Sequence, residues 1–249
     1  MDIPKKKVAI ITGGASGLGL AMARKFTAQR LTTIIIGRDA AKLDAAAQDL
    51  GPLCVPIAFD VNNLAQVPAL VQDIVRQHGF IAILVNNAGI NLKKPMTEVS
   101  DEEFQRILLT NVTSVFALTR AVAKGMLAEK YGCIINISSM AAHYGLPGVV
   151  PYSASKAAIE GMTRTMAVEL SPQGIRVNCI APGFIATKMS ATALDSDPER
   201  KRKVLSRTPM GKLGIPDDVA NVAYFLTTDE AAFMTGAVIP VDGGNSIGF

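Results

Sequence analysis

The sequence predicts an α/β protein: a single doubly wound (Rossmann) parallel sheet of about seven strands with helices on both faces. Three observations carry this. Short runs without polar alternation, such as Val8-Ala9-Ile10-Ile11, alternate with helical stretches along the chain, as expected of strands buried between two helix layers. A glycine cluster joins the first such run to the first helical stretch. No linker, low-complexity tract or internal repeat interrupts the 249 residues, so one domain is expected over 1–249.

The elements follow in order. Val8–Ile11 reads as a strand and Leu18–Gln29 as a helix; 33–36 is a β-branched strand ending at Gly37, and Ala40–Leu50 is an Ala-rich helix. Val55–Phe59 is a strand, Leu64–His78 a helix and Ile81–Val85 a strand. A long helix starts at Ser100, whose hydroxyl with Glu103 three residues on forms a capping box. Cys133–Ile137 is a strand, Pro151–Leu170 a helix with proline in its first turn, and Ile175–Ala181 a strand. Val219–Leu226 lies in a shorter helix, and Ala237–Val241 is the last strand. Residues 183–215 show neither pattern. They follow the carboxyl end of a strand, where such folds bind ligands, and a substrate lid is expected at 186–212.

Composition narrows the function classes. At 49% hydrophobic and 18% charged residues, the chain has material for a core without disulfide or metal staples. Mean hydropathy is +0.29, but no apolar run reaches the roughly 18 residues of a membrane helix. The start, Met1 to Lys7, is too polar for a signal peptide. Cys54, Cys133 and Cys179 are widely spaced and form no CxxC pair, which points to reduced thiols and a cytoplasmic location; with two histidines they make no metal site. The net charge of +4 is unevenly placed: residues 188–212 hold seven basic and three acidic side chains, whereas 213–249 hold five acidic and no basic ones. Aromatics are only 5%, so a nucleic-acid groove is not expected.

The first turn, Thr12-Gly13-Gly14-Ala15-Ser16-Gly17-Leu18-Gly19, suits a dinucleotide phosphate. Glycines let backbone N–H groups approach a pyrophosphate, and the helix N-terminus adds partial positive charge. The spacing is TGxxxGxG. Further along come Asp60-Val61, Asn86-Asn87-Ala88-Gly89, Asn111, Ser139, Tyr152-Ser153-Ala154-Ser155-Lys156 and Pro182-Gly183, in order and each at the matching place in the strand–helix series. On these motifs the chain resembles the short-chain dehydrogenase/reductase family over nearly its whole length.

The resemblance implies a nicotinamide cofactor held by Gly13, Ser16, Gly17, Leu18 and Gly19. It implies further that Asp60 and Val61 meet the adenine, that Asn87 lies against a ribose, and that the Ile185 backbone and the Thr187 hydroxyl hold the carboxamide. Asn111, Ser139, Tyr152 and Lys156 match the family's catalytic tetrad, with Asn111 reaching Lys156 through water. The chemistry fits these residue types. Free tyrosine has a pKa of about 10; Lys156, four residues on, shares a helix face with Tyr152 and would favour tyrosinate, so that Tyr152 can pass a proton while Ser139 bonds the substrate oxygen. Ser138 is expected to point away from Ser139. His143 either edges the substrate pocket or is a plain loop residue, and His78 ends a helix.

In this family the second strand ends on an acid when NAD is preferred; here Gly37 stands there and Arg38 follows. A guanidinium suits a 2′-phosphate, so NADP(H) is favoured with NAD(H) as the alternative. Asp39 opposes this with a nearby negative charge.

Residues 87–96 resemble gluconate 5-dehydrogenases, implying a sugar acid or polyol. Residues 110–116 and 134–139 look more like 3-oxoacyl-carrier-protein reductases, the second reading, although Val149 stands where those enzymes commonly carry Gln. Of their two basic carrier-binding places, Lys130 fills one and Gln173 stands at the other. A cofactor-binding sensor without catalysis is the reading from another class. The substrate is expected to be anionic, met by Lys93 and Lys94 and by Arg200, Lys201, Arg202, Lys203 and Arg207 of the lid. The resemblance also implies a homotetramer packed through the long helices around Asn111 and Tyr152, and no membrane partner is expected.

Overall fold

A computed structural model describes residues 7–187 and 198–248. Seven strands form one sheet: β1 (Lys7–Thr12), β2 (Thr32–Gly37), β3 (Cys54–Ala58), β4 (Phe80–Asn86), β5 (Gly132–Ile137), β6 (Ile175–Pro182) and β7 (Val238–Val241). Their spatial order is β3-β2-β1-β4-β5-β6-β7, with every pairing parallel. The chain reverses its direction of build between β1 and β4. The carboxyl ends of these two neighbours open the crevice in which such sheets take ligands.

The strands lack polar alternation because both faces are covered. Ile10 is in register with Ile34 of β2 and Leu84 of β4, and Leu84 with Ile134 of β5. This row packs beneath α3 (Val67–His78) and α5 (Ser114–Glu129) through Val71, Ile74, Leu118 and Val122. The neighbouring positions Ala9, Ile11, Ile35, Val85 and Ile135 face the other way, against α1 (Gly17–Ala28) and α8 (Pro216–Thr227) through Met22, Phe26, Val219 and Ala223. Phe26 meets Tyr224 edge-on, ring centroids 5.9 Å apart. All three cysteines are free and buried.

Most expected elements are present within a residue or two. The long helix is two: α4 (Asp101–Leu108) and α5 flank a π-helical turn at Leu109–Thr113 that contains Asn111. The last helix, Pro216–Thr227, contains Val219–Leu226 as expected. Part of the stretch expected as a lid is helical, α7 (Pro198–Arg207), where Val204 is buried and Arg202, Lys203 and Arg207 are exposed. Its density of charge hides the apolar spacing. Residues 188–197 of that expected lid, and the Arg200 side chain, lie outside the described residues. The capping box is formed as expected: Ser100 Oγ accepts from the Glu103 N–H, and Glu103 accepts from the Ser100 N–H.

The stretch Asp101–Glu129 is long and apolar enough to cross a membrane by length and composition, but 56% of its apolar window is buried within the fold. It packs as a core helix.

Candidate active site

The glycine turn is shaped by close approach. Gly13 and Gly17 have φ of +66° and +52°, a region that glycine enters without strain. A β-carbon at Gly19 would overlap the Gly13 carbonyl, and one at Gly14 would lie 2.6 Å from Ile35 Cγ2. Asn87, just past β4, braces this turn: its Nδ2 donates to the Thr12 and Gly13 carbonyls at 2.9 and 3.3 Å. Thr12 Oγ1 accepts from the Asn87 and Ala88 N–H groups, both at 3.0 Å. Ser16 is exposed at the N-cap of α1, makes no side-chain capping bond, and the first turn of the helix carries no acid. The N-terminal N–H groups of α1 thus face an exposed, glycine-floored surface suited to an anion. Leu18 is half-buried beside it. Asn87, expected against a ribose, is therefore a brace of the turn.

On one side of this cradle, Arg38 is exposed and makes no ion pair among the described residues. Asp39 is occupied: it caps α2 (Ala40–Leu50) through the Lys42 N–H and pairs with Lys42 Nζ at 2.7 Å, which holds its carboxyl below the usual range. A β-carbon at Gly37 would make only ordinary contact with Leu43 at 3.7 Å, so sterics do not exclude an acid there. Asp60 is exposed and accepts from the Asn62 N–H at 2.9 Å, and Val61 packs against the core edge. On the other side, Ile185 is buried and bridges to Gly214, and Thr187 Cγ2 lies 3.9 Å from where a Gly17 β-carbon would stand. The exit of β6 thus faces the glycine turn.

The expected relay residues come together at the ends of β5 and α6 (Val150–Leu170). Lys156 Nζ lies 5.6 Å from the Tyr152 ring centroid and donates to the Ile137 carbonyl at 2.7 Å. Ser139 lies near enough to Tyr152 to favour its anion, but burial prevails and raises the Tyr152 pKa, and burial lowers Lys156 to about 8. The expected drop in the tyrosine pKa is thus not a property of the protein alone, because desolvation outweighs the Ser139 side chain. Asn111 uses the π turn to aim its amide at the backbone past β4. Its Oδ1 accepts from the Ile90 N–H at 2.8 Å, and its Nδ2 donates to the Ile90 carbonyl at 2.9 Å and to Ser155 Oγ at 3.0 Å. Gly89 lies beside both groups: a β-carbon there would stand 3.3 Å from Asn111 Oδ1 and 3.6 Å from Lys156 Nζ. The Asn87–Gly89 tract therefore touches the glycine turn with one end and the relay with the other.

Ser138 points away from Ser139, as alternation predicts, and donates to Glu160 Oε1 at 2.8 Å. His143 Nε2 also lies 2.8 Å from that oxygen. Sequence reasoning passed over Glu160 and gave no role to Ser155 and Gly89, which it met only as motif residues. The polar positions Tyr152, Lys156, Glu160 and Thr163 fall on one helix face, and that spacing is the signal that would have found Glu160. At the mouth, Lys94 is paired with Glu103 at 2.9 Å, which leaves Lys93 as the exposed lysine of the two.

A seven-stranded parallel sheet with a glycine turn and a Ser-Tyr-Lys cluster at its carboxyl edge defines a dinucleotide-dependent oxidoreductase of the Rossmann class. The family model described as Enoyl-(Acyl carrier protein) reductase matches residues 13–246. The chain is 41% identical over 244 residues to the 3-oxoacyl-[acyl-carrier-protein] reductase FabG of Thermotoga maritima, covering 96% of this chain and 97% of that one. It is 40% identical over 247 residues to the (2S)-[(R)-hydroxy(phenyl)methyl]succinyl-CoA dehydrogenase subunit BbsD of Thauera aromatica, covering 98% of each. Among solved structures, a candidate gluconate dehydrogenase from Agrobacterium tumefaciens superposes with a TM-score of 0.94 at 34% identity, covering 98% of this chain and 97% of that one. The chain belongs to the short-chain dehydrogenase/reductase family.

Proposed function

We propose that the protein is an NADP(H)-dependent oxidoreductase that interconverts a secondary alcohol and a ketone. The observation that carries this is the joining of Ser139, Tyr152 and Lys156 into one cluster that Asn87–Gly89 links to the glycine turn. When bound, the nicotinamide supplies or takes the hydride. The protein's residues do the rest. The N–H groups at Gly13–Gly19 hold the pyrophosphate, with the Ser16 hydroxyl beside them, and Arg38 grips the 2′-phosphate. Asp60 and Val61 meet the adenine, Asn87 a ribose, and the Ile185 backbone and Thr187 the carboxamide. Tyr152 gives its proton to the substrate oxygen, which Ser139 bonds. Burial keeps Tyr152 protonated until a further positive charge arrives, and Lys156 beside it favours the anion left behind. Asn111 fixes the Ile90 backbone against Ser155 and so steadies the relay floor.

Two substrate classes compete. The whole-chain relatives named as 3-oxoacyl-[acyl-carrier-protein] reductase and (2S)-[(R)-hydroxy(phenyl)methyl]succinyl-CoA dehydrogenase support a 3-oxoacyl thioester. The segment 87–96 and the solved neighbour support a sugar acid. The Lys94–Glu103 pair removes one of the two cations expected to meet a small anion, which favours the thioester. Lys130 is exposed beside the Gln173–Gly174 turn, so the two places where a carrier would be gripped adjoin, one of them basic. An anionic substrate remains our reading in both cases, as does a cytoplasmic homotetramer. The test follows NADPH absorbance with acetoacetyl-CoA and with 5-ketogluconate. A kcat/KM for the thioester at least about tenfold higher is expected. The reverse order supports the sugar acid, and no NADPH consumption on these or on a wider ketone panel contradicts the proposed activity.

A further inference from the structure

Three consecutive residues at the end of β5 face three successive turns of α6. The Ile137 carbonyl accepts from Lys156 Nζ, Ser138 Oγ donates to Glu160 Oε1 at 2.8 Å, and Ser139 lies beside Tyr152. The first bond belongs to the relay; the second does not. Glu160 Oε1 also lies 2.8 Å from His143 Nε2, and the Glu160 side chain is only 9% exposed. Among the described residues His143 is its sole ion-pair partner. Cys179 on β6, the thiol nearest in charge interaction, is pushed up to about 12 by burial and by Glu160, and so stays neutral.

A carboxylate in the core costs several kcal/mol unless its oxygens are bonded. An apolar side chain would fill the position without that cost. The property a carboxylate adds is that one oxygen holds two donors. Those donors, Ser138 and His143, flank the turn whose first residue is Ser139. Inside the turn, Ser139 Oγ accepts from the Ala141 N–H at 3.1 Å, the Ser139 carbonyl from Ala142 at 3.0 Å, and the Met140 carbonyl from His143 at 2.9 Å. Hydrogen bonds thus stiffen the turn internally, and one atom of α6 fastens both its ends.

We propose that Glu160 is a positioning residue: through Ser138 and His143 it clamps the Ser139 turn to the helix that carries Tyr152 and Lys156. Ser139 then keeps one placement relative to the Tyr152 hydroxyl, and displacement by about 1 Å in such a site costs up to about 100-fold in rate. The proposal rests on the roles given above to Ser139 and Tyr152.

The experiment measures steady-state kinetics with NADPH and the best ketone of the panel for Glu160→Leu, Glu160→Gln, Ser138→Ala and His143→Leu, with Tyr152→Phe as control. Thermal melting checks folding. Glu160→Leu should lower kcat by about tenfold or more with the NADPH KM changed by no more than about twofold. Glu160→Gln should recover most of that loss, because its amide oxygen accepts from both donors. Ser138→Ala and His143→Leu should each lose part of it. A folded Glu160→Leu with unchanged kcat overturns the clamp, as does a Gln variant as impaired as Leu. If Glu160→Leu does not fold, wild-type kcat in both Ser138→Ala and His143→Leu overturns it. Turnover surviving in Tyr152→Phe would bring down the relay itself, a failure distinct from that of the clamp.

Discussion

In the proposed NADP(H) enzyme, Arg38 is the residue on which cofactor choice turns. Its side chain is exposed, while the neighbouring Asp39 is spent on the α2 cap and on Lys42. The negative charge that would oppose a phosphate is thus already paired. Arg38→Asp should reverse the preference, raising the NADPH KM by about tenfold or more with a small change for NADH. Steady-state kinetics with both cofactors checks this, and a wild type that prefers NADH would contradict it. Lys156 gives a second test. Its pKa in the folded protein is lowered from 10.5 to about 8 by burial. Between those values the unfolded chain binds more protons than the folded one, so this lysine makes stability rise with pH across that window. In urea denaturation, the stability of wild type relative to Lys156→Met should therefore increase from pH 7.5 to 9.5. A flat or falling difference would show that Lys156 is not desolvated. His143, left open by sequence reasoning, is bound to Glu160 at the turn it terminates.

At the scale of elements, the strand and helix patterns were largely legible because each buried strand has apolar neighbours on both faces and each turn its glycine or cap. The break in the long helix was not legible. A π turn keeps helical composition, and its mark is Asn111, a buried polar residue whose partners at Ile90 and Ser155 lie far away in sequence. Helix α7 was legible only as an alternative, a solvated face carrying the basic run, because its charges mask a short apolar stripe. Elements also bear on assembly. Phe116 on α5 is 45% exposed and Val168 on α6 is 80% exposed, large apolar groups on the two helices that the family resemblance packs across a subunit interface. In the proposed homotetramer both are covered. Val168→Asp should shift the mass measured by light scattering below that of the wild type; a wild-type monomer would contradict the assembly.

For the whole molecule, the sheet order divides the labour. On the proposed reading, the β1–α1 turn and the end of β2 form the cradle for the cofactor and the ends of β5 and α6 form the relay; the tract after β4 joins the two across the switch point. The sequence motifs name the residues proposed for each half. That Asn87 braces the glycine turn, that Gly89 faces both Asn111 and Lys156, and that Lys94 is neutralised by Glu103 needed three dimensions, because each joins segments whose spacing along the chain carries no signal. If the two halves are separable, removing one hydroxyl from the relay should leave the cradle untouched. Tyr152→Phe, compared with wild type by NADPH absorbance on the best ketone and by NADPH fluorescence titration, tests this most directly. The account predicts a loss of turnover of about 1000-fold or more, with the NADPH Kd unchanged within about twofold; turnover within about tenfold of wild type would contradict it.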